Sequence, residues 1–253
     1  MLKIFSAVRG SGRPVILIHG FPMNSNVWDN FATPLSKHYK VYTPDLPGFG
    51  KSKLLDLPFT IEAVATQLLD WMDEQKIENP VVIGHSLGGY VALAMAAKNP
   101  ERLAGIGLFH STAAEDSVEK KESRTKTIEF VKKNGVLAFT SNFIQQLFAN
   151  PEHPAIATVR EIAIQSQEDA VVGYTQAMRD RPSRIHVLQD FDKPVLLIAG
   201  EKDQGISAAS IQQQASLCKQ SHLHVIPNVA HMGMFEKPDE TVNLAKLFID
   251  HCK

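Results

Sequence analysis

Short apolar runs recur along the sequence: VILI from Val15, KVYT from Lys40, VVIG from Val81, GIGLF from Gly105, VLLIAG from Val195 and LHVI from Leu223. Most are β-branched and nearly continuous rather than alternating. That is the pattern of strands covered on both faces, as in a parallel sheet. Amphipathic segments separate several of the runs. In TIEAVATQLLDWMDEQ, Ile61, Val64, Ala65, Leu68, Leu69 and Met72 share one helical face, and Thr60 stands where an N-cap belongs. Alternating strands and helices restrict the chain to an α/β fold with right-handed crossovers. LKIFSAV, just before GSGRP, reads as an extra antiparallel strand feeding a hairpin.

The alternation breaks between about Ser111 and Asp190. That span has no convincing buried strand. SVEKKESRTKTIEFVKKNG is a highly charged helical pattern stopped by Gly135, and GVLAFTSNFIQQLFANP, PAIATVREIAIQ and DAVVGYTQAMRDRP continue the helical character. The division expected is a core of residues 1–110 and 191–253 with a helical cap of residues 111–190 set into it. The competing reading is a set of extra helices packed far from any site.

At 253 residues the chain can bury a sizeable interior as one large domain with an insert. A formal net charge of −1 gives no electrostatic case for nucleic acid or an anionic membrane. No apolar run approaches the roughly 20 residues that span a bilayer. MLKIFSAVRGSG does not read as a signal peptide. Cys218 and Cys252 are too few for a disulfide framework or a Cys-rich zinc site, so a cytoplasmic, reduced protein is expected. No His, Asp and Cys set has the local spacing of a metal site, and no cofactor is called for.

VVIGHSLGGYVAL, from Val81 to Leu93, joins an apolar strand pattern to an alanine-rich helix pattern through Gly84-His85-Ser86-Leu87-Gly88. A G-x-S-x-G pattern alone is weak; its strand–turn–helix setting is what counts. A serine at such a turn is held in a strained conformation above the sheet, and the positions two residues either side must lack bulk. The helix N-terminus behind it offers N–H groups and a positive dipole end to a developing oxyanion. A serine needs a base, and the base needs an orienting carboxylate. Asp203 follows VLLIAG and His231 follows LHVIP, so both fall at the C-terminal edge of the sheet, where ligands bind in open α/β sheets.

HGFP at 19–22, DLPGFGKS at 45–52, GHSLGG at 84–89, GEKD at 200–203 and AHMGMFEKP at 230–238 together make the chain resemble the α/β-hydrolase superfamily over essentially its full length. The resemblance implies a mostly parallel eight-stranded sheet, although the runs counted here reach seven, with a helical lid inserted after the sixth strand. It implies Ser86 as nucleophile, Asp203 as acid and His231 as base. The Phe21 and Leu87 N–H groups would form the oxyanion hole. Glu201 is a rival for the acid. Asp45 reads as a turn former, His19 and His85 as hydrogen-bonded scaffold, and His110 as a residue that could line the pocket.

A serine rather than an aspartate at the elbow argues against haloalkane and epoxide chemistry. Hydrolysis of a carboxylic ester through an acyl-serine is the default expectation. Perhydrolase or haloperoxidase-like, lactonase and C–C bond hydrolase activities are alternatives, as is a small-molecule receptor. Phe139, Phe143 and Leu147 recur at four-residue intervals, with Phe148 beside them. They either pack the cap onto the core or, joined by Met178 and Met232, roof a pocket for an apolar acyl group. The oligomeric state is not legible.

Overall fold

The computed structural model describes residues 3–252. Among them are seven strands: β1 (Ser6–Arg9), β2 (Pro14–Ile18), β3 (Lys40–Pro44), β4 (Val81–His85), β5 (Gly105–Phe109), β6 (Val195–Gly200) and β7 (Ser221–Ile226). They form one sheet in the order β1-β3-β2-β4-β5-β6-β7, with β1 antiparallel and every other pairing parallel. The core helices are α1 (Asp29–Leu35), α2 (Ile61–Glu74) and α3 (Leu87–Lys98). Between β5 and β6 lie α4 (Val118–Phe143), α5 (Ala155–Ala163), α6 (Glu168–Asp180) and α7 (Ile185–Asp190). The chain ends with α8 (Ala208–Ala215), α9 (Gly233–Glu236) and α10 (Pro238–His251).

Successive strand residues point to opposite faces, and the two apolar clusters follow that period. Ile16, Ile18, Val82, Ile106 and Leu108 pack with α2, α3 and α8 on one side. Val15, Leu17, Val81, Ile83 and Phe109 pack with α1 and α10 on the other. The α2 face read from the sequence is buried as a unit, and Thr60 Oγ1 accepts the Ala63 N–H at 3.2 Å to cap it.

Two expectations are corrected. The sheet has seven strands among the described residues, not eight, because the residues just ahead of β1 bond to a loop. The Phe5 N–H donates to Ser52 Oγ at 2.9 Å and the Phe5 carbonyl accepts the Asp45 N–H at 2.9 Å. The helical insert accordingly follows the fifth strand of this sheet rather than the sixth. Nor do β1 and β2 form a hairpin. The β2–α1–β3 crossover lays β3 against the side of β2 that a hairpin would need, so β1 pairs with β3 in the register Ser6↔Pro44 to Arg9↔Val41.

Residues 111–190 hold α4 to α7 and no strand. Gly135, with φ 79° and ψ 168°, breaks α4 into a charged first half and an aromatic second half. In α6, Tyr174 meets the rings of Phe49 and Phe59, each at 4.8 Å, and so seats the insert on the core loops.

Candidate active site

The turn between β4 and α3 leaves no room for side chains around its serine. A Cβ on Gly84 would lie 2.1 Å from the Gly88 carbonyl oxygen, and one on Gly88 would lie 2.3 Å from the Ile18 carbonyl oxygen. Ser86 itself has φ 50° and ψ −112°, a strained conformation for a residue with a side chain. Its backbone is pinned on both sides, the N–H donating to Phe109 O at 3.0 Å and the carbonyl accepting Ser111 Oγ at 2.7 Å. Leu87 is the first residue of α3, so its N–H has no partner within the helix.

Asp203, just beyond β6, and His231, beyond β7, meet at this edge. Asp203 Oδ2 is 2.6 Å from His231 Nδ1, while Oδ1 accepts the N–H groups of Gly205 at 2.9 Å and Ile206 at 3.0 Å. Burial alone would raise the Asp203 carboxyl. Attraction to His231, the hydrogen bond from it, His110 and the Ile206 N–H outweigh that and bring it down to about 2. An ionised Asp203 accepts a hydrogen bond from the Nδ1–H of His231, the tautomer that leaves Nε2 without a proton. Ser86, Asp203 and His231 line one cleft of about 430 Å³. Glu201 has a different task, accepting the Asn228 N–H at 3.0 Å.

Phe21 also lines this cleft, and Gly20 beside it runs close to the elbow, where a Cβ would lie 2.4 Å from His85 Nδ1. Phe143 and Met178 line the cleft as well. The ring of Phe143 stacks on Phe139 at 4.9 Å, and both lie 6.1 Å from Phe21. Met232 does not join them. Its side chain is fully buried in the cluster beneath the opposite sheet face, because the chain turns into α9 immediately after His231. Phe148 likewise packs away from the cleft, against His153 and Phe235.

Three further histidines around the site, His19, His85 and His110, are buried and bonded. Leu46 N–H donates to His19 Nε2 at 2.9 Å, and His19 Nδ1 donates to the Gly20 carbonyl at 2.9 Å. His85 Nε2 donates to the His231 carbonyl at 2.8 Å. His110 is not a pocket residue but lies beneath it, fully buried. Its Nε2 accepts the Gly233 N–H at 3.2 Å, and its Nδ1 lies 3.7 Å from Asp203 Oδ2. Burial and the neighbouring His231 hold His110 down at about 3 despite Asp203, so its ring is neutral. Asp45 ties a turn, accepting the N–H groups of Ser25 at 2.8 Å and Lys51 at 2.9 Å.

Three residues went unrecognised in the sequence. Glu236 braces the His231 loop. Its Oε2 accepts from Ala230 N at 3.0 Å and Met232 N at 3.2 Å, and its Oε1 accepts from Ala149 N of the insert at 2.7 Å. The signal was a lone carboxylate five residues after the histidine, inside AHMGMFEKP. Lys120 and Arg124 line the cleft from α4. In sequence they vanish into a charged helix, since periodicity does not say which charged face turns inward.

A family profile described as the alpha/beta hydrolase family matches residues 15–244. Lipase 1 of Psychrobacter immobilis is 26% identical over 247 residues, covering 94% of this chain and 77% of the relative. A thermophilic esterase from Thermogutta terrifontis superposes with a TM-score of 0.93 at 29% identity, over 98% of this chain and 93% of that one. An enol-lactonase from Burkholderia xenovorans LB400 shares the fold, with a TM-score of 0.90 at 21% identity over 98% and 97% of the two chains.

Proposed function

The chain belongs to the alpha/beta hydrolase family, and from that premise we propose that it is a serine hydrolase cleaving carboxylic esters through an acyl-serine intermediate. The observation that carries this reading is the 2.6 Å Asp203–His231 hydrogen bond, which faces the same cleft as the strained Ser86. His231 Nε2 takes the Ser86 hydroxyl proton as Oγ attacks the ester carbonyl carbon. The Leu87 and Phe21 N–H groups receive the oxyanion. On collapse, the alcohol departs with the proton from His231, leaving Ser86 acylated. Water, deprotonated by the same nitrogen, then releases the acid. Asp203 stays ionised throughout and holds the imidazole in the tautomer that keeps Nε2 free. Phe21, Phe139, Phe143 and Met178 give one part of the cleft an apolar wall suited to an aliphatic or aromatic group. Two free thiols, Cys218 and Cys252, suit a reducing, cytoplasmic setting. Among the described residues no helix is long and apolar enough to cross a membrane.

The test combines a fluorophosphonate probe with a p-nitrophenyl ester panel. Ser86 is expected to label, and Ser86→Ala to abolish labelling and lower ester turnover by ~10³-fold or more. Parallel lactone and peroxide-transfer assays separate the neighbouring activities. Wild-type turnover in Ser86→Ala, or a wild-type protein that neither labels nor hydrolyses any ester, would overturn the assignment.

A further inference from the structure

We infer that the substrate is an ester carrying a carboxylate in addition to its apolar part, and that Lys120 and Arg124 bind that carboxylate. This deepens the ester-hydrolase reading above and rests on it.

The observation is chemical division along one helix. Before Gly135, α4 turns Lys120, Ser123, Arg124 and Thr127 to the cleft, the i, i+3, i+4, i+7 spacing of a single face, with Phe130 after them. After Gly135, the same helix turns Ala138, Phe139, Asn142 and Phe143 to the same cleft, with no charged side chain among them. The charged side chains in the lining, His231 apart, are two cations and one anion, Lys120 and Arg124 against Asp203. Asp203 is committed to His231 and to two backbone N–H groups. The nearby Asp116 does not cancel the excess, because two guanidinium groups share it. Arg124 Nε donates to Oδ2, and Arg181 Nη1 lies 2.8 Å from Oδ1. Burial would push the Asp116 carboxyl up, but Arg124 and Arg181 hold it below the usual carboxylate range.

Arg124 is thus clamped through Nε, and neither of its Nη groups has a partner among the described residues. Among the described residues, Lys120 Nζ donates only to the Gly205 carbonyl, at 2.9 Å, beside the Asp203 loop. A pre-positioned guanidinium presenting two free NH₂ groups matches the planar geometry of a carboxylate, and such charge-assisted bonds are roughly twice as strong as neutral ones. The positive character is local, because the whole chain carries a formal charge of −1. General attraction for anions is therefore absent, and only a substrate that enters the cleft meets these cations.

The experiment uses two matched pairs on the intact protein: monoethyl against diethyl adipate, and 4-(butanoyloxy)benzoate against its methyl ester. The first puts the carboxylate on the acyl side and the second on the alcohol side. In at least one pair the wild-type kcat/KM is expected to favour the anionic member by ~10-fold or more. That ratio should fall at least tenfold in Lys120→Gln and in Arg124→Gln, and high salt should lower it further. Arg124→Gln disturbs a buried ion pair and can cost stability, so melting curves accompany both variants. If Arg124→Gln melts early, Lys120→Gln decides, since among the described residues its ammonium group hydrogen-bonds only a carbonyl. The inference is overturned if the neutral member is preferred in both pairs. It is equally overturned if Lys120→Gln lowers both members alike, which would make Lys120 a latch between α4 and the Asp203 loop. Should no ester be turned over and Ser86 fail to label, the ester reading itself has failed. Neutral-ester turnover without discrimination removes the charge inference alone.

Discussion

Glu236 takes no part in bond making, yet His231 depends on it. The histidine sits between two residues, Ala230 and Met232, whose N–H groups both end on Glu236 Oε2, and its own carbonyl is held by His85 Nε2. Replacing the carboxylate by an amide puts an NH₂ group where one set of N–H donors needs an acceptor. Glu236→Gln should therefore lower kcat by ~10-fold with a smaller change in KM, and cost about 1–3 kcal/mol of stability. Unchanged kcat in a well-folded variant would show that the loop needs no brace. The two acids at the end of β6 should separate cleanly. Asp203→Asn loses the charge that fixes His231 and is expected to drop kcat by ~10³-fold or more. Glu201→Gln, at an exposed carboxylate that only ties down the Asn228 N–H, should stay within about twofold. The reverse ranking in ester assays would mean that Glu201 is the acid.

At the scale of elements, α4 holds most of what could not be read in advance. Its first half is visible in sequence as a charged helix, and Gly135 as its end. The helical character beyond the glycine is also visible in GVLAFTSNFIQQLFANP, but the turn of both halves into one cleft is a tertiary outcome that local periodicity does not encode. The sheet was more legible, because strands buried on both faces leave continuous β-branched runs such as Val81–Ile83 and Val195–Ile198. The errors fell at its edge. A strand like β1 pairs with whichever partner the crossovers leave open, and no pattern within LKIFSAV says that this is β3. Met232 was misplaced for a similar reason, since adjacency to His231 in sequence says nothing about which way the chain turns into α9. The elbow, by contrast, was legible because sterics act within five residues, Gly84 to Gly88. For α4 the expected experiment is Gly135→Ala. A Cβ there meets nothing within 4 Å, so the penalty is purely in the backbone, at φ 79° and ψ 168°. That region costs a residue with a side chain about 1–3 kcal/mol. Straightening the helix would relieve it by swinging Phe139 and Phe143 off Phe21. The variant should lose the wild-type dependence of kcat/KM on acyl-chain length. A native length profile with native thermal stability would show that the kink does not shape the cleft.

At the scale of the whole molecule, the cluster of histidines beneath the cleft makes stability depend on pH. Burial depresses His19, His85 and His110 below the ordinary imidazole value of 6.5, with repulsion from His231 adding to it for the last two, and His110 reaches about 3. In the unfolded chain each would bind a proton as pH falls through about 6.5. In the fold His110 stays neutral down to about pH 3, and His19 and His85 take up a proton only at lower pH than they would in the unfolded chain. The unfolded state therefore binds more protons, and stability falls as pH drops below 6.5, with His110 contributing to the loss down to about pH 3. Each such histidine costs roughly 1.4 kcal/mol per pH unit over its window. The carboxylates act elsewhere. Asp203, lowered from 3.8 to about 2, stabilises the fold above 3.8, and that contribution disappears only as pH falls towards 2. A loss between pH 6.5 and 4.5 therefore reports the histidines and not the acid of the site. His110 alone would remove about 1.4 kcal/mol per unit below pH 6.5, a sizeable share of the roughly 5–15 kcal/mol of a typical domain. Denaturant titrations at pH 7.5, 6.5, 5.5 and 5.0 should show stability falling below pH 6.5 with a slope of at least one proton, the share of His110. His110→Asn, which removes one titrating ring, should lower that slope by about one proton even where it costs stability at pH 7.5. Stability that stays level from pH 7.5 to 5.0 would mean that the buried histidines find protons, or water, without unfolding the chain.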